Sequence, residues 1–536
     1  MTVATILVMI GLVFSKCSGF LRDIFVNIRF SDPVYRDSFT LAFTIPDLVY
    51  NLLIGGSIQS AITPSLSAAI SKGEEDKGFR AVNIFISVFS MLLLVVCILG
   101  VIFAEPIYRI YSAGDNHPET VRLAAMASKW LFPQIFFMML AALFIGILNA
   151  YKRFGSTAFG PTIYNIFVLL AIVLLAGNSE KMLVNTTCGI MGAAVIYFLF
   201  QYFIGFDKLK KFRFIFKPGD KDFRQLVRRA LPILFSASIV QINMVILNYF
   251  ANSFPDSGHI YALRNASTTW QLPYGIFAVA IGNVMLPSLA ALYSAKEYDK
   301  ASELLSSRLK SALFLTIPSA GFMLIMSSDI IKAIFQWRPT YTDADVRRAA
   351  LFLCGYCAAI ITHTVVFIMN QAFYAIGKTK IPLVAGCCGL ITNPLFCTAF
   401  IELGAGPMSL TLAYSLTSLI QMTILVVLYR RDKRLAPKKL LAFLIKSFAA
   451  TMVMCFVVFI IDRAMPGAGS KIAQLITLAE KCAVAVVLYF GLAIIMKMPE
   501  ATYWIDKIKG KVKGRMFSKT IEQMFNAMIF GGNLNG

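Results

Sequence analysis

Charged residues interrupt the otherwise apolar stretches of this sequence. The first stretch contains Lys16, Arg22 and Asp23. Lys16 and Asp23 are seven residues apart and share one face of a helix, while Arg22 faces somewhat away. An ionisable side chain inside an apolar segment is costly unless it is paired or faces water, so each one marks a candidate site. Lysine and arginine bind phosphates, so these residues predict a cavity for an anionic group.

Four further charged residues lie within or next to apolar stretches. Asp37 opens the second stretch, where it either faces the cavity or caps a helix. Arg264 precedes the eighth stretch and either faces the cavity or anchors the helix at the outer surface. Lys446 and Lys481 lie in the last two stretches, and we predict that their ammonium groups extend to the membrane surface.

The elements that position these residues are long apolar segments. Hydrophobic residues make up 58% of the 536 positions and charged residues 15%, well below the charge of soluble domains. The segment 84–103 is continuously apolar, as a spanning helix is, whereas the strands of a β-barrel alternate. The predicted fold class is an all-α polytopic membrane protein of about 14 transmembrane helices.

The apolar segments fall into two sets separated by a basic connector. We predict spans near residues 2–28, 38–68, 80–104, 128–150, 160–177 and 183–206, then 229–252, 265–293, 309–328, 349–374, 381–402 and 407–429, with two more at 440–462 and 474–496. Lysine and arginine are concentrated in alternate connections, which places both termini in the cytoplasm by the positive-inside rule. This topology accounts for the net charge of +22, so no nucleic-acid partner is predicted.

The first half of the chain recurs in the second half at a nearly constant offset. Segment 59–66 resembles 282–289, 74–77 resembles 297–300, and 149–157 resembles 371–379. Each copy holds six predicted spans, an even number, so the copies are parallel and form N and C lobes. Two such bundles around a central cavity are typical of transporters that work by alternating access.

The repeat and the connector define the predicted organisation. The N lobe covers 1–206, the basic cytoplasmic connector 207–228, the C lobe 229–429, two further helices 430–497, and a cytoplasmic amphipathic tail 498–536. Gly19, Gly55 and Gly56 lie inside spans, where glycine allows a helix to bend. The ten cysteines and three histidines build no spaced metal framework, so neither a metal site nor a cofactor is predicted.

A known pattern runs over nearly the whole chain and is carried, in matching order and spacing, by segments 18–23, 37–43, 45–48, 60–64 and 271–289. Through these segments the chain resembles the MurJ (MviN) lipid II flippases of the MOP exporter superfamily. The resemblance implies a V-shaped cationic cavity between two lobes, a lipid-tail groove at the last two helices, and a location in the bacterial cytoplasmic (inner) membrane. It also implies that the protein is a transporter and not an enzyme.

The resemblance assigns roles to individual residues. Lys16 stands where the family has an arginine, Arg22 matches a second arginine, and Asp23 and Asp37 also match. Lys16, Arg22 and Arg264 are therefore the predicted ligands of the cargo's diphosphate. Asp23 and Asp37 are predicted to support the cavity or its gating.

The second and eighth spans depart from the family pattern. Tyr50-Asn51 stands where the family has two arginines, and Ile54-Gly55-Gly56 where it has Ala-Glu-Gly. Ser267 and Thr268 stand where the family has Asp-Arg, and Arg264, one turn earlier on the same face, is the predicted substitute. Asn51, Ser267 and Thr268 are accordingly predicted to line the cavity.

Four further residues stand where some family members place sodium-binding acids. They are Asn243, Asn248, Asn393 and Cys397. Because none of the four is a carboxylate, we predict coupling to the membrane potential or to protons and not to sodium.

The predicted cargo is lipid II, the undecaprenyl-diphosphate-linked peptidoglycan precursor. The predicted partners are this lipid-linked precursor, membrane lipids and proteins of cell-wall synthesis. An exporter of another polyprenyl-linked oligosaccharide, or a multidrug (MATE-like) exporter, is the nearest alternative. A membrane glycosyltransferase or polymerase is the alternative from another class. It is disfavoured because the predicted outer loops are short and carry no paired carboxylates.

Overall fold

The structure, a computed structural model, describes residues 3–53, 62–63, 66–67, 69–111, 117–151, 153–210, 212–432, 437–465 and 470–504. Every regular element in these ranges is a helix, which confirms the all-α class. Gly55 and Gly56 lie outside the described residues, as does the tail beyond residue 504. Lys16 lies on a described helix, but its side chain is also outside the description.

Lys16, Arg22 and Asp23 all lie on the first helix of the first half. The helices of this half are α1 (Val3–Arg29), α2 (Pro33–Leu53), α3 (Glu75–Ile102), α4 (Ala104–Tyr111), α5 (Pro118–Ala150), α6 (Phe154–Leu175) and α7 (Glu180–Ile204). A single helical turn, α8 (Phe206–Leu209), leads into the connector.

The second half starts with α9 (Lys221–Ala251) and α10 (His259–Pro273). A π-helical segment (Tyr274–Val279) joins α10 to α11 (Ala280–Ser294). Then follow α12 (Tyr298–Ile325), α13 (Ser327–Phe335), α14 (Asp343–Ala375), α15 (Lys380–Glu402), α16 (Met408–Asp432), α17 (Pro437–Ala464) and α18 (Lys471–Ile495). Within the described ranges, ten helices are long and apolar enough to cross a membrane. The count of about 14 spans remains a prediction.

Local sequence explains where several of these helices start and bend. Thr342 and Asp345 form a capping box at the start of α14, and Ser179 and Ser470 accept hydrogen bonds from the first turns of α7 and α18. Pro273 has no backbone N–H to donate, and the hydrogen-bond register changes directly after it, in the π-helical segment. Helices α10 and α11 therefore form one bent span.

Helix pairing in the first half recurs in the second. In the first half α1 packs on α6, α2 and α3 pack on α5, and both α5 and α6 pack on α7. In the second half α9 packs on α15, α10 and α12 pack on α14, and both α14 and α15 pack on α16. These pairings correspond helix by helix, as a duplicated six-helix unit requires. The lobe boundaries stay a prediction.

The last two helices are attached to the second half by charged groups. The Lys481 ammonium lies 3.1 Å from the Asp329 carboxylate on α13 and also bonds to Asp462 on α17. The Lys481 side chain is 8% exposed, whereas Asp329 and Asp462 are 43% and 33% exposed, so the ammonium belongs to a partly exposed ion cluster. Its extension to the membrane surface stays a prediction. The Lys446 ammonium donates to the carbonyl of Met496, at the end of α18. Both contacts hold α17 and α18 together.

Candidate functional site

A polar cavity lies between helices of the two halves and has two adjoining chambers. One chamber, of about 210 Å³, is lined by α2, α9 and α10, and it includes Ser267 and Thr268. The other, of about 230 Å³, is lined by α1, α2, α5, α6 and α10, and it includes Arg22 and Asn51. Phe43, Asp47 and Arg264 line both chambers. We call the two chambers together the central cavity.

Two arginines from different halves meet on one aspartate at the cavity wall. Arg22 Nε and Nη2 each lie 3.0 Å from Asp23 Oδ1, and Arg264 Nη2 lies 3.6 Å from the same oxygen. Thr268 Oγ1 donates to Asp23 Oδ2 at 3.4 Å. The Asp23 side chain is only 5% exposed, whereas Arg22 and Arg264 are 24% and 33% exposed. Asp23 therefore orients two guanidinium groups whose remaining donors can reach the cavity.

The structure brings most of the predicted site residues together. Arg22, Asp23, Arg264 and Thr268 are in contact, and Asn51 and Ser267 line the cavity. Gly19 lies next to a neighbouring helix, because a β-carbon built at this position would be 3.6 Å from the Asn165 amide on α6. Gly19 thus lies at ordinary packing distance from the neighbouring helix.

Asp37 is a helix cap, but it does not cap its own helix. Asp37 Oδ2 accepts a hydrogen bond from the backbone N–H of Gly258 at 2.6 Å, and Oδ1 accepts one from Tyr261 N–H at 2.9 Å. Asp37 therefore caps the start of α10 in the other half. Gly258 has φ of +96°, a conformation that favours glycine. The first turn of α2 is capped by Asp32 instead, whose carboxylate accepts a hydrogen bond from Val34 N–H.

A buried ion pair joins the two halves beside this cap. Arg36 Nη2 lies 3.1 Å from Asp345 Oδ2 on α14, and the two side chains are 2% and 7% exposed. The Arg36 guanidinium also lies 5.2 Å from the centre of the Tyr341 ring. These contacts and the Asp37 cap join the two halves one helical turn away from Thr40, which lines the central cavity, and we call this end of the cavity the sealed end. Sequence reasoning missed Arg36 because its partner lies in the distant half.

Asp47 is the second residue that sequence reasoning missed. It lines both chambers together with Arg264, and Arg22 lines one chamber with it. Within the described part of the chain, no hydrogen bond or ion pair involves its carboxylate, although its backbone carbonyl accepts from Asn51. Segment 45–48 served as a family marker in the sequence. Asp47 could have been identified from the sequence, because a carboxylate directly after Pro46 inside an apolar span is a candidate cavity residue.

Comparison with known proteins decides the family. The family model described as "Lipid II flippase MurJ" matches residues 27–480. The chain belongs to the MurJ family. It is 26% identical over 457 residues to "Probable lipid II flippase MurJ" of Buchnera aphidicola, covering 84% of this chain and 88% of that protein. It is 24% identical over 497 residues to "Lipid II flippase MurJ" of Burkholderia cenocepacia, covering 90% and 95%.

Solved structures support the same fold. "Lipid II flippase MurJ, inward closed conformation" aligns with a TM-score of 0.76 at 23% identity, over 92% of this chain and 98% of that one. An inward-facing multidrug resistance MATE transporter of the MOP superfamily aligns at 0.67 and 13% identity, over 80% and 97%. At these identities the likeness shows the fold alone. The many apolar helices and the family together show that the chain is a bacterial membrane protein. Family membership also makes it a transporter, as predicted.

Two of the four residues that stand where some MurJ family members place sodium-binding acids form a neutral pair. The Asn393 amide donates to Asn243 Oδ1 at 3.0 Å, and both residues are buried. Asn248 lies apart from them, lines the central cavity and donates to Thr44. Among the residues described, no group of three or more His, Cys, Asp or Glu could hold a metal ion. The nature of the coupling remains a prediction.

A second, apolar cavity lies at the last two helices. It has a volume of about 460 Å³ and lies between the π-helical segment, α12, α17 and α18. Its lining includes Phe277, Phe322, Met454 and Tyr489. We call it the apolar groove. Its apolar lining is suited to a hydrocarbon chain.

Proposed function

We propose that this chain flips lipid II from the inner to the outer leaflet of the bacterial cytoplasmic membrane by alternating access. The observation that carries the proposal is the pair Arg22 and Arg264, held by Asp23 and facing a cavity between two halves. Family membership provides the cargo class.

The guanidinium pair suits the diphosphate of the cargo. Each guanidinium is planar and offers several N–H donors in a fixed geometry that matches phosphate oxygens. Asp23 takes up donors of Arg22 and lies near Arg264, so neither side chain has to be ordered when the cargo enters. Because Arg22 is on α1 and Arg264 on α10, a bound diphosphate would contact both halves. The cargo therefore bridges the two units that must move relative to each other.

The apolar groove suits the polyprenyl tail. It is lined almost entirely by hydrocarbon and aromatic side chains, and α17 and α18 form one wall of it. A long isoprenoid chain gains free energy in proportion to the apolar area that leaves water. We infer that the headgroup occupies the central cavity while part of the tail lies in the groove.

The sealed end is inferred to face the outside of the cell. Helices α2, α5, α10 and α14 all begin there, and they enter from outside if the N-terminus is cytoplasmic. The connector 207–228 lies towards the opposite end and is rich in lysine and arginine, as cytoplasmic connections are. The cargo would then enter from the cytoplasm and leave when the sealed end opens.

We expect thiol labelling to fix this orientation. A cysteine at Lys217, an exposed connector position, should resist an impermeant reagent in intact cells, whereas one at Glu119, exposed at the start of α5, should react. Each variant is labelled before and after membrane permeabilisation, with a cysteine-free chain as the blank. The reverse pattern would place the sealed end in the cytoplasm.

We expect the chain to replace a native flippase. When the host flippase is depleted, expression of this chain should restore growth and the exposure of lipid II at the outer leaflet, read by an impermeant lipid II ligand. The same plasmid carrying Arg22→Ala is the matched control. Normal membrane levels with neither growth nor lipid II exposure would contradict lipid II as the cargo.

A further inference from the structure

Asp47 is a carboxylate that lines the central cavity together with both arginines. It stands on α2 at the junction of the chambers, with Arg22 on the α1 side and Arg264 on the α10 side. Among the described residues, the other titratable groups of the cavity wall are Asp23 on α1 and three tyrosines, namely Tyr50 on the same helix as Asp47, Tyr164 on α6 and the buried Tyr108 on α4. Helices α5 and α9 contribute uncharged cavity residues, including Gln134, Gln241 and Asn248.

Asp47 and Asp23 have different surroundings although both face the arginines. Asp23 is 5% exposed and is held by Arg22, Arg264 and Thr268, all of which stabilise its ionised form. The Asp47 carboxylate has no such contact within the described residues. Among the described residues, the nearby charges of Arg264 and Arg22 are what stabilise its ionised form.

An incoming diphosphate changes this balance. The described charged groups of the cavity wall are two arginines and two aspartates, so their formal charges cancel. A diphosphate diester carries two negative charges and would bind the same two guanidinium groups. Asp47 would then lose its counter-charges to the headgroup and face a new anion in a cavity of low dielectric constant. Both changes favour the neutral, protonated carboxyl group.

We propose that Asp47 takes up one proton from the cavity water when the anionic headgroup binds Arg22 and Arg264. The proton adds to a carboxylate oxygen and returns to water when the headgroup leaves, so no other group changes its protonation. This inference rests on the proposed function. It makes Asp47 a residue that links headgroup affinity to pH, and the loaded cavity holds one negative charge fewer than it would without the proton.

The linkage has a definite sign. A group that gains a proton on binding makes the complex more stable as pH falls, with up to tenfold in affinity per pH unit for one proton. The headgroup phosphates are fully ionised throughout the neutral range and contribute no slope of their own. For the full-length wild-type protein in lipid nanodiscs, we expect lipid II to bind at least about tenfold more tightly near pH 6 than near pH 8.

The test is a comparison with Asp47→Asn, which mimics the protonated side chain. This variant should bind lipid II at both pH values with about the affinity that the wild type reaches near pH 6. Glu105→Gln removes an exposed carboxylate that pairs with Arg109 on α4, so it is the matched control and should keep the wild-type slope. Proton uptake by the wild type on binding, measured in weakly buffered solution, provides a readout that needs no variant.

Several results would overturn the proposal. A wild-type affinity that does not change with pH, or binding without proton uptake, removes the linkage. An Asp47→Asn variant that keeps the full slope assigns the proton to another group. Weaker binding by Asp47→Asn at both pH values means that the carboxylate holds a cationic group of the cargo instead. If the wild type binds no lipid II at either pH, the proposed function itself is wrong.

Discussion

Replacing Arg22 by alanine is expected to abolish lipid II flipping while the protein stays folded and inserted. Arg22 is partly exposed to the cavity, and its two contacting nitrogens both bond to Asp23. After its removal Asp23 keeps Arg264 and Thr268, so no buried carboxylate is left alone. The loss of a charged phosphate contact typically costs about 3 kcal/mol, or roughly a hundredfold in binding. The measurements are rescue of the depleted host and membrane level by immunoblot.

Two further variants separate cargo binding from helix pairing. Arg22→Lys should keep part of the activity, because a point charge replaces a planar fork with several donors. If Arg22 served only to hold Asp23, removing both side chains together should recover what Arg22→Ala lost. The cavity role predicts no such recovery, since Asp23→Ala also takes away the group that orients Arg264. Full activity of Arg22→Ala at normal expression would contradict it.

The spans could be predicted from apolar runs, but their ends often could not. The run 349–374 predicts a helix that actually starts at Asp343, because the Thr342 capping box adds two polar turns outside the hydrocarbon. The helix of the predicted span 128–150 starts earlier, at Pro118, because a proline at the first helical position and a polar first turn precede its apolar residues. Helices α4 and α13 were not predicted as separate elements because each is short and amphipathic. Apolar length identifies the membrane crossing and not the whole helix.

Some contacts of the cavity residues could also be predicted from the sequence, and others could not. Arg22 and Asp23 are neighbours on one helix, so their meeting could be predicted from the sequence. Arg36 and Asp345 lie in different halves, and a charge near the end of a span looks like a surface anchor until its partner is known. Asp37 was predicted to be either a cavity residue or a cap, and only the packing of α10 on α2 shows which helix it caps.

Replacing Arg36 by alanine is expected to open the sealed end. Its guanidinium bonds to Asp345 across the two halves with both side chains almost fully buried. Breaking a buried pair from one side costs about 3 kcal/mol or more, and that cost falls on the closed state because the open state hydrates the aspartate. A shift of about 3 kcal/mol changes the ratio of closed to open molecules by roughly a hundredfold. Opening exposes Met244, which lines the central cavity.

Met244→Cys in a cysteine-free background reports this change through its reaction with an impermeant thiol reagent added outside intact cells. We expect labelling at least about tenfold faster with Arg36→Ala than without it, because labelling tracks the open population. Arg348→Ala is the matched control. Arg348 Nη1 contacts the same Asp345 at 3.1 Å, but from three residues further along the same helix, so its loss leaves the bridge between the halves intact. An Arg36→Ala rate equal to that of the Met244→Cys background would show that this ion pair does not close the sealed end. Equally fast labelling of both variants would assign the effect to the charge of Asp345 and not to the bridge between the halves. A faster rate with Arg36→Ala alone would assign the closure to the ion pair that crosses the halves, since both variants remove one cation from the same carboxylate.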